Sequence, residues 1–106
     1  MRFGIFYEHQ LPKPWNPGDE ARLFHQALEQ VVLADRLGYD YAWEVEHHFL
    51  EEYSHSSAPE VFLAAAAART KTIRLGHGIR QVIPNYNHPA RTAELCRRAG
   101  KLYEER

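Results

Sequence analysis

The chain has 106 residues, enough for one small domain with one modest hydrophobic core. Hydrophobic residues make up 44% and charged residues 25%, and the formal net charge of -1 provides no basic surface for nucleic acid or for a membrane. A single cysteine, Cys96, excludes an intrachain disulfide and favours a reducing compartment, so we expect a cytoplasmic protein. No apolar run approaches membrane-spanning length, and the first residues do not have the pattern of a signal peptide.

The first predicted unit is a strand followed by a helix. The segment "RFGIFY", residues 2–7, is apolar at nearly every position, which is typical of a strand buried on both faces. A proline-rich loop at 8–18 follows. From Asp19 onward apolar residues recur at spacings of three and four, which predicts an amphipathic helix with Asp19 as its N-cap and Gly38 as its C-terminal stop.

The second predicted unit repeats this order. A strand over about residues 41–46 ends in "EHH" and leads into a polar, irregular loop. The sequence "SAPE", residues 57–60, has the form of a capping box, with Ser57 as the cap and Glu60 three residues later. Pro59 suits the first turn of the helix that we expect to begin there.

The third predicted unit completes the alternation. It has a strand over 72–83 that Gly76 and Gly78 interrupt, a loop at 84–89 and a helix from residue 90 to the end. Strand and helix alternate three times, which predicts parallel strands joined by right-handed crossovers. A doubly wound sheet and a (β/α)8 barrel both fit, and in either fold the chemistry lies at the carboxyl ends of the strands.

Histidines concentrate after the predicted strands. Of the seven in the chain, His25 lies in a predicted helix, whereas six lie at or beyond a strand end: His9, His47, His48, His55, His77 and His88. We therefore expect these six at one rim of the sheet. The adjacent pair after Glu46 is the best candidate for catalysis, although a histidine at such a place can also cap a helix or bond a backbone carbonyl.

Metal and nucleotide binding are not favoured. Adjacent histidines on an extended chain point to opposite faces, so His47 and His48 are poor ligands for one metal ion, and no HExxH sequence is present. The sequence "GHG" lacks the GxGxxG context, and there is no Walker A motif. Cys96 lies in a predicted helix with apolar neighbours, so we expect it to be packed rather than reactive. Trp43 can line a ligand pocket or fill the core, and we expect it in the core.

Four segments together resemble the N-terminal part of the bacterial luciferase-like monooxygenases. They are "MRFGIFYEH", "ADRLGYDYAWEVEHHF", "PEVFLAAAAARTKTIRLGHGI" and "VIPNYNHPARTAE", which cover about residues 1–94 in order and with matching spacing. The resemblance implies that the chain is a single domain of three βα units, the first part of an incomplete (β/α)8 barrel. Residues 95–106 depart from the family and are expected to form a divergent C-terminal helix.

The resemblance also implies flavin chemistry. Members of the family use reduced FMN, or the deazaflavin F420, as a bound substrate, and the FMN-type members activate dioxygen to oxygenate an organic substrate. By its position in "EHH", His47 takes the catalytic role, while Glu46 and His48 orient it or shape the flavin pocket. The residues that match the region against the flavin ring, where the family can carry a strained peptide bond, are Gly78, Ile79 and Arg80. The residues that hold the flavin phosphate belong mostly to later strands, and no metal is implied.

These observations leave three functions of different classes open. The first is a segment of a flavin-dependent monooxygenase that binds flavin and a small organic substrate, as a homo-oligomer or together with the remainder of the barrel. The second is a non-catalytic α/β module for binding or assembly, derived from that barrel and oligomeric so that its open edge is buried. A third is a flavodoxin-like domain with a ligand at its strand ends.

Overall fold

The computed structural model describes residues 1–103, with side chains as far as Arg98. Residues 104–106, which the sequence assigns to the last helix, lie outside the described part. The elements are β1 (Gly4–Tyr7), α1 (Asp19–Arg36), β2 (Tyr41–Glu44), α2 (Pro59–Arg69), β3 (Arg74–His77) and α3 (Pro89–Tyr103). The predicted alternation of strand and helix is therefore present three times.

The three strands form one parallel sheet in the order β1-β2-β3. In its register Tyr7, Glu44 and His77 lie side by side at the carboxyl ends of the strands. Parallel neighbours with helical connections match the predicted α/β arrangement. As a result, the loops that follow the three strands all leave the sheet at the same edge, which we call the carboxyl edge.

Each strand is shorter than predicted, because loop and side-chain acceptors take over backbone N–H groups. The prediction of a third strand over 72–83 is wrong at both ends, since the strand runs only over Arg74–His77. At its start the Asp35 carboxylate accepts hydrogen bonds from the backbone N–H groups of Lys71, Thr72 and Ile73, at 2.7–2.8 Å. These N–H groups are then not available to a ladder with the neighbouring strand.

The first two strands also differ from the prediction, each at one end. The first begins at Gly4 rather than at residue 2, and the second ends at Glu44 rather than at residue 46. Beyond Glu44 the backbone N–H of His47 donates to the carbonyl of Ser56 at 2.8 Å, so the chain bonds to its own loop. The "EHH" sequence therefore lies just after the strand.

The N-cap of helix α1 lies one residue before the predicted one. The N-cap is Gly18, with φ of 88°, and Asp19 is the first helical residue, so the prediction of Asp19 as the N-cap is wrong. Its carboxylate instead accepts from the backbone N–H of Asn16 at 2.8 Å and from Arg22 at 2.7 Å. The predicted stop at Gly38 is confirmed, because this residue has a φ of 79° just beyond the helix end.

The predicted capping box at the start of α2 is also wrong. The N-cap is Ala58, which makes no side-chain cap, and Ser57 lies outside the helix end. Glu60 is engaged elsewhere, since it accepts from Arg80 at 3.2 Å. Pro59 does lie in the first turn, as predicted.

The hydrophobic core lies on one face of the sheet, beneath α1 and α2. It consists of Ala27, Val31, Ala34, Ala42, Phe62, Leu63, Ala66, Ile73 and Leu75. The alanines of α2 allow the helix to approach the strands closely. Helix α3 packs against α2, and its Cys96 is exposed, so the prediction of a packed cysteine is wrong. None of the helices within residues 1–103 combines the length and apolar character needed to cross a bilayer.

The opposite face of the sheet is not covered by any of the residues that the structure describes. Ala42 and Glu44 are buried on the helix side, so the alternating side chain Trp43 points to the uncovered face and is 38% exposed. The prediction of Trp43 as a core residue is therefore wrong. Its neighbour in register, Phe6, is 53% exposed. These rings lie close to β3 and its end, because a Cβ at Gly76 would be 2.6 Å from Trp43 and one at Gly78 would be 2.5 Å from Phe6.

Candidate active site

All six predicted histidines lie at or beyond the carboxyl ends of the strands, but they do not form one cluster. His9 is buried on the helix side of the sheet. His55 lies 2.9 Å from a carboxylate oxygen of Glu20 on α1, and His88 accepts the backbone N–H of Ala90 at the start of α3. His47 and His48 follow β2 directly, and the geometry around them defines the candidate site.

Glu46 is the centre of a hydrogen-bond network at the carboxyl edge. Its side chain is 1% exposed. One carboxylate oxygen, Oε1, lies 3.1 Å from His48 Nε2 and accepts from Asn87 Nδ2 at 3.1 Å. The other, Oε2, accepts the backbone N–H of Gln81 at 3.1 Å and lies 3.0 Å from Arg80 Nη1. Both oxygens are therefore fully engaged.

The charge state of Glu46 follows from these contacts. Burial by itself raises the pKa of this carboxyl, but hydrogen bonds from His48, Gln81 and Asn87 and the charge of Arg80 outweigh burial and lower the pKa below its ordinary value. An ionised carboxylate only accepts hydrogen bonds. The proton of a neutral His48 ring is therefore held at Nε2, and its Nδ1 is left as an acceptor.

Arg80 joins three parts of the fold. Its side chain is 10% exposed, and its guanidinium lies within 3.2 Å of both Glu46 and Glu60, on α2. It also donates to Asn87 Oδ1 at 3.3 Å. Two of the residues that the resemblance assigned to the flavin, Glu46 and Arg80, thus contact each other and hold the loops of the carboxyl edge together.

His47 has a different carboxylate partner. Its Nε2 lies 3.4 Å from Glu8 Oε2, and its ring centroid is 5.8 Å from that of Tyr53. The side chains of His47 and Glu8 are 19% and 21% exposed. Sequence reasoning missed Glu8, although its place directly after β1 was a usable signal, because parallel strands bring the residues after β1 and β2 together.

Gly78 and Ile79, which were also assigned to the flavin, lie beside Glu44 and Glu46. The backbone N–H of Gly78 donates to the carbonyl of Glu44 at 2.7 Å, and the carbonyl of Ile79 accepts from the N–H of Glu46 at 3.0 Å. These bonds continue the sheet beyond β3 and keep the segment level with "EHH". Within residues 1–103 the only cis peptide bond is Lys13–Pro14, so the bond between Gly78 and Ile79 is trans.

Another carboxylate–histidine pair is buried beneath the edge, and no pattern in the sequence indicated it. His9 Nε2 lies 2.8 Å from Glu44 Oε1, and both side chains are at most 1% exposed. The His9 ring packs against Phe24 and Phe62, at 4.6 and 4.9 Å between ring centroids. Ser56 donates its hydroxyl to the same Glu44 oxygen at 2.5 Å. This pair faces the helices, so it supports the loop after β2 rather than the exposed rim.

Comparison with known proteins gives a consistent result. The sequence model of the luciferase-like monooxygenases matches residues 1–106. The limonene 1,2-monooxygenase of Rhodococcus erythropolis is 42% identical over 83 residues, which are 76% of this chain and 21% of that enzyme. The chain thus spans about a fifth of the length of this curated relative.

Solved structures agree in fold. Monooxygenase RslO1 from Streptomyces bottropensis superposes with a TM-score of 0.78 at 36% identity, over 100% of this chain and 31% of that one. The oxygenating constituent of 3,6-diketocamphane monooxygenase, from the CAM plasmid of Pseudomonas putida and solved with FMN, gives a TM-score of 0.82 over 99% of this chain and 27% of that one. At 24% identity this second likeness concerns the fold alone.

These matches confirm the resemblance to the N-terminal part of the family and the incomplete TIM-type barrel that it implied. The three strand–helix units correspond to less than a third of each of these structures. Because the family model matches residues 1–106 of this chain, the chain belongs to the luciferase-like monooxygenase family.

Proposed function

We propose that the chain forms the first part of a flavin-dependent monooxygenase that uses reduced FMN and dioxygen to oxygenate a small organic substrate. One observation carries the proposal: at the carboxyl edge two adjacent histidines each face a separate carboxylate, His47 with Glu8 and His48 with Glu46. This edge is where parallel α/β folds place their chemistry. Family membership supports flavin-dependent oxygenation, and F420 is the alternative flavin.

The residues at this edge fit the ring system of a flavin. Phe6 and Trp43 present flat apolar surfaces on the uncovered face of the same sheet. A glycine at position 78 leaves room for the Phe6 ring, because a Cβ there would lie 2.5 Å from that ring. Planar aromatic groups pack well against such surfaces. We therefore assign the contact with the flavin ring to the rim around His47 and His48.

The cations near this rim do not fit a phosphate. Among the residues that the structure describes, Arg80 is neutralised by Glu46 and Glu60, Arg91 lies 3.7 Å from Glu60, and Lys13 is paired with Glu51. A phosphate would have to displace these carboxylates. We therefore assign the phosphate of FMN to residues outside this chain, in line with what the family resemblance implies.

In this proposal the flavin supplies the electrons that activate dioxygen, and the chain supplies placement and proton control. His47 is the catalytic residue, because its imidazole can donate or accept a proton near neutral pH and its side chain reaches the surface of the rim. His48, held by Glu46, shapes the pocket beside it. The segment Gly78, Ile79 and Arg80 forms the adjacent wall.

We also propose that the uncovered face is covered in the working protein, by further βα units of a barrel or by a second copy of the chain. Reactive oxygen chemistry needs a site from which water is excluded. Two large aromatic side chains, Phe6 and Trp43, are partly exposed on this face. A cytoplasmic location fits the exposed free thiol of Cys96.

The second candidate is the non-catalytic binding or assembly module. One observation favours it: Glu46 and Arg80 satisfy each other and their neighbours, so that they stabilise the loops without any ligand. In this alternative the "EHH" rim is retained from an enzymatic ancestor without a catalytic role, and the uncovered face is the binding or assembly surface.

Calorimetric titration of the 106-residue chain with reduced FMN under anaerobic conditions distinguishes the monooxygenase segment from the non-catalytic module. We expect saturable binding, weakened about tenfold by His47→Ala, which is the effect of losing one hydrogen bond of about 1.4 kcal/mol. His25→Ala, at an exposed position of α1 that lines the groove between α1 and α2, is the matched control and should bind like the wild type. Absence of saturable heat from a chain that circular dichroism reports as folded would favour the module.

A further inference from the structure

We propose that Glu8 is the positioning residue of His47: its carboxylate fixes the tautomer and the orientation of the imidazole. This inference rests on the proposed function, and it adds a residue that neither the "EHH" pattern nor the family resemblance implicated. Glu8 lies directly after β1 and His47 three residues after β2, so the parallel pairing of these strands brings the two side chains together.

The geometry singles out one oxygen of Glu8. Oε2 is buried, has no hydrogen-bond donor in the described structure, and lies 3.4 Å from His47 Nε2. A buried carboxylate oxygen without a donor is costly, and a proton on Nε2 of His47 would satisfy it. The distance is longer than a strong hydrogen bond, but catalytic contacts are often long in unliganded structures and shorten when a ligand binds.

The other carboxylates of the edge are already engaged. Glu46 contacts His48 and Arg80, and Glu44 contacts His9. Among the described residues Glu8 is the only carboxylate within ion-pair distance of His47. The role that sequence reasoning gave to Glu46, the orientation of His47, therefore passes to Glu8.

The consequence for His47 is a defined tautomer. Because a carboxylate only accepts, Glu8 selects the neutral ring with its proton on Nε2 and leaves Nδ1 as the acceptor. The backbone hydrogen bond from His47 to Ser56 holds the main chain at this residue, and the Tyr53 ring beside the imidazole limits how the side chain can turn. Nδ1 is then the atom that takes a proton from a ligand bound at the rim.

Nitrogen-15 NMR of the histidine rings tests this directly, at a pH high enough for imidazole to be neutral. In the wild-type chain we expect His47 in the Nε2–H form. His48, which faces Glu46, should show the same form and serves as an internal reference. A His47 ring in the Nδ1–H form, or an equal mixture, would overturn the proposal without any variant being needed.

Glu8→Gln then separates positioning from packing. Glutamine has the same shape, but its amide both donates and accepts, so the tautomer preference of His47 should be lost while that of His48 is retained. Glu51→Gln, an exposed member of a surface ion pair on a neighbouring loop, is the control and should leave both rings unchanged. A His47 ring that keeps its preference in Glu8→Gln would contradict the assignment.

The tautomer measurement needs no flavin, so its failure is distinct from failure of the proposed function. Flavin binding together with the wrong His47 tautomer would overturn the role of Glu8 alone. The expected tautomer without flavin binding would leave the Glu8–His47 contact intact and overturn the flavin proposal.

Discussion

At the scale of single residues, the adjacent His47 and His48 have different carboxylate partners because their side chains point in different directions. Neighbouring side chains on an extended chain diverge, and here His47 turns toward Glu8 while His48 turns toward Glu46. The sequence motif shows three polar residues in a row, but only the fold supplies the partner from β1. Which carboxylate serves which histidine is therefore a tertiary property.

The importance of Glu46 can be measured by stability. Glu46→Ala leaves the buried Arg80 with one carboxylate fewer, and we expect a loss of about 3 kcal/mol in the free energy of unfolding. Urea unfolding at neutral pH measures it, with Glu51→Ala as the exposed control that should change little. Equal stability of the two variants would contradict the central place of Glu46 in the network.

At this scale the sequence predicts which residues lie at the carboxyl edge, but not which side chains pair there. The positions of His47, His48 and Gly78 at the carboxyl edge follow from strand order alone. The Glu8–His47 and Glu44–His9 pairs do not, because each joins residues far apart in the chain whose side chains meet only after β1 and β2 have paired. Trp43 was misplaced for a related reason, since its exposure depends on which face of the sheet the helices cover.

At the scale of elements, the order of strands and helices could be predicted, whereas their ends could not. Continuous apolar runs indicate buried strands and spacings of three and four indicate helices, and both patterns extend over several residues. A strand or helix end depends on single acceptors instead. The Asp35 carboxylate takes the backbone N–H groups just before β3, and the Asp19 carboxylate accepts the N–H of Asn16 in the preceding loop. Neither role is visible in the hydrophobic pattern.

Asp35 offers a test of this view. Its carboxylate accepts three backbone N–H groups and the Thr72 hydroxyl, so Asp35→Ala should lower the free energy of unfolding by about 2 kcal/mol at neutral pH. Asp35→Asn keeps the shape and part of the bonding and should lose less. A wild-type-like Asp35→Ala in chemical denaturation would show that the start of β3 does not depend on this anchor.

The same carboxylate predicts a pH dependence. Burial tends to raise the pKa of Asp35, but hydrogen bonds from Thr72, Ile73 and Lys71 together lower it to about 2 from the ordinary 3.8. The unfolded chain therefore binds the proton more readily, so stability from Asp35 is present above pH 3.8 and is lost as the pH falls toward 2. The stability difference between wild type and Asp35→Asn should shrink over that interval, and a constant difference would contradict the lowered pKa.

At the scale of the whole molecule, the dominant feature is the uncovered face of the sheet. A sheet in a complete barrel has its helices outside and its second face inside a packed interior. Here that second face carries Phe6 and Trp43, which are partly exposed, beside the candidate site. The family relatives are several times longer than the part that this chain matches.

We expect the isolated chain to self-associate through this face. Trp43→Glu should shift sedimentation velocity toward the monomer, because a charge on the apolar face opposes its burial. Leu37→Glu, at an exposed apolar position at the end of α1, is the control and should sediment like the wild type. A wild-type chain that is monomeric at every concentration would contradict self-association.

The most direct measurement is a histidine-ring NMR titration with reduced FMN under anaerobic conditions, because the seven histidines report from different parts of the fold. If the flavin ring contacts the carboxyl edge, the His47 and His48 signals shift saturably, while those of His25, in the groove between α1 and α2, do not. Unchanged signals at His47 and His48 from a folded chain, or shifts confined to His25, would contradict a flavin site at this edge.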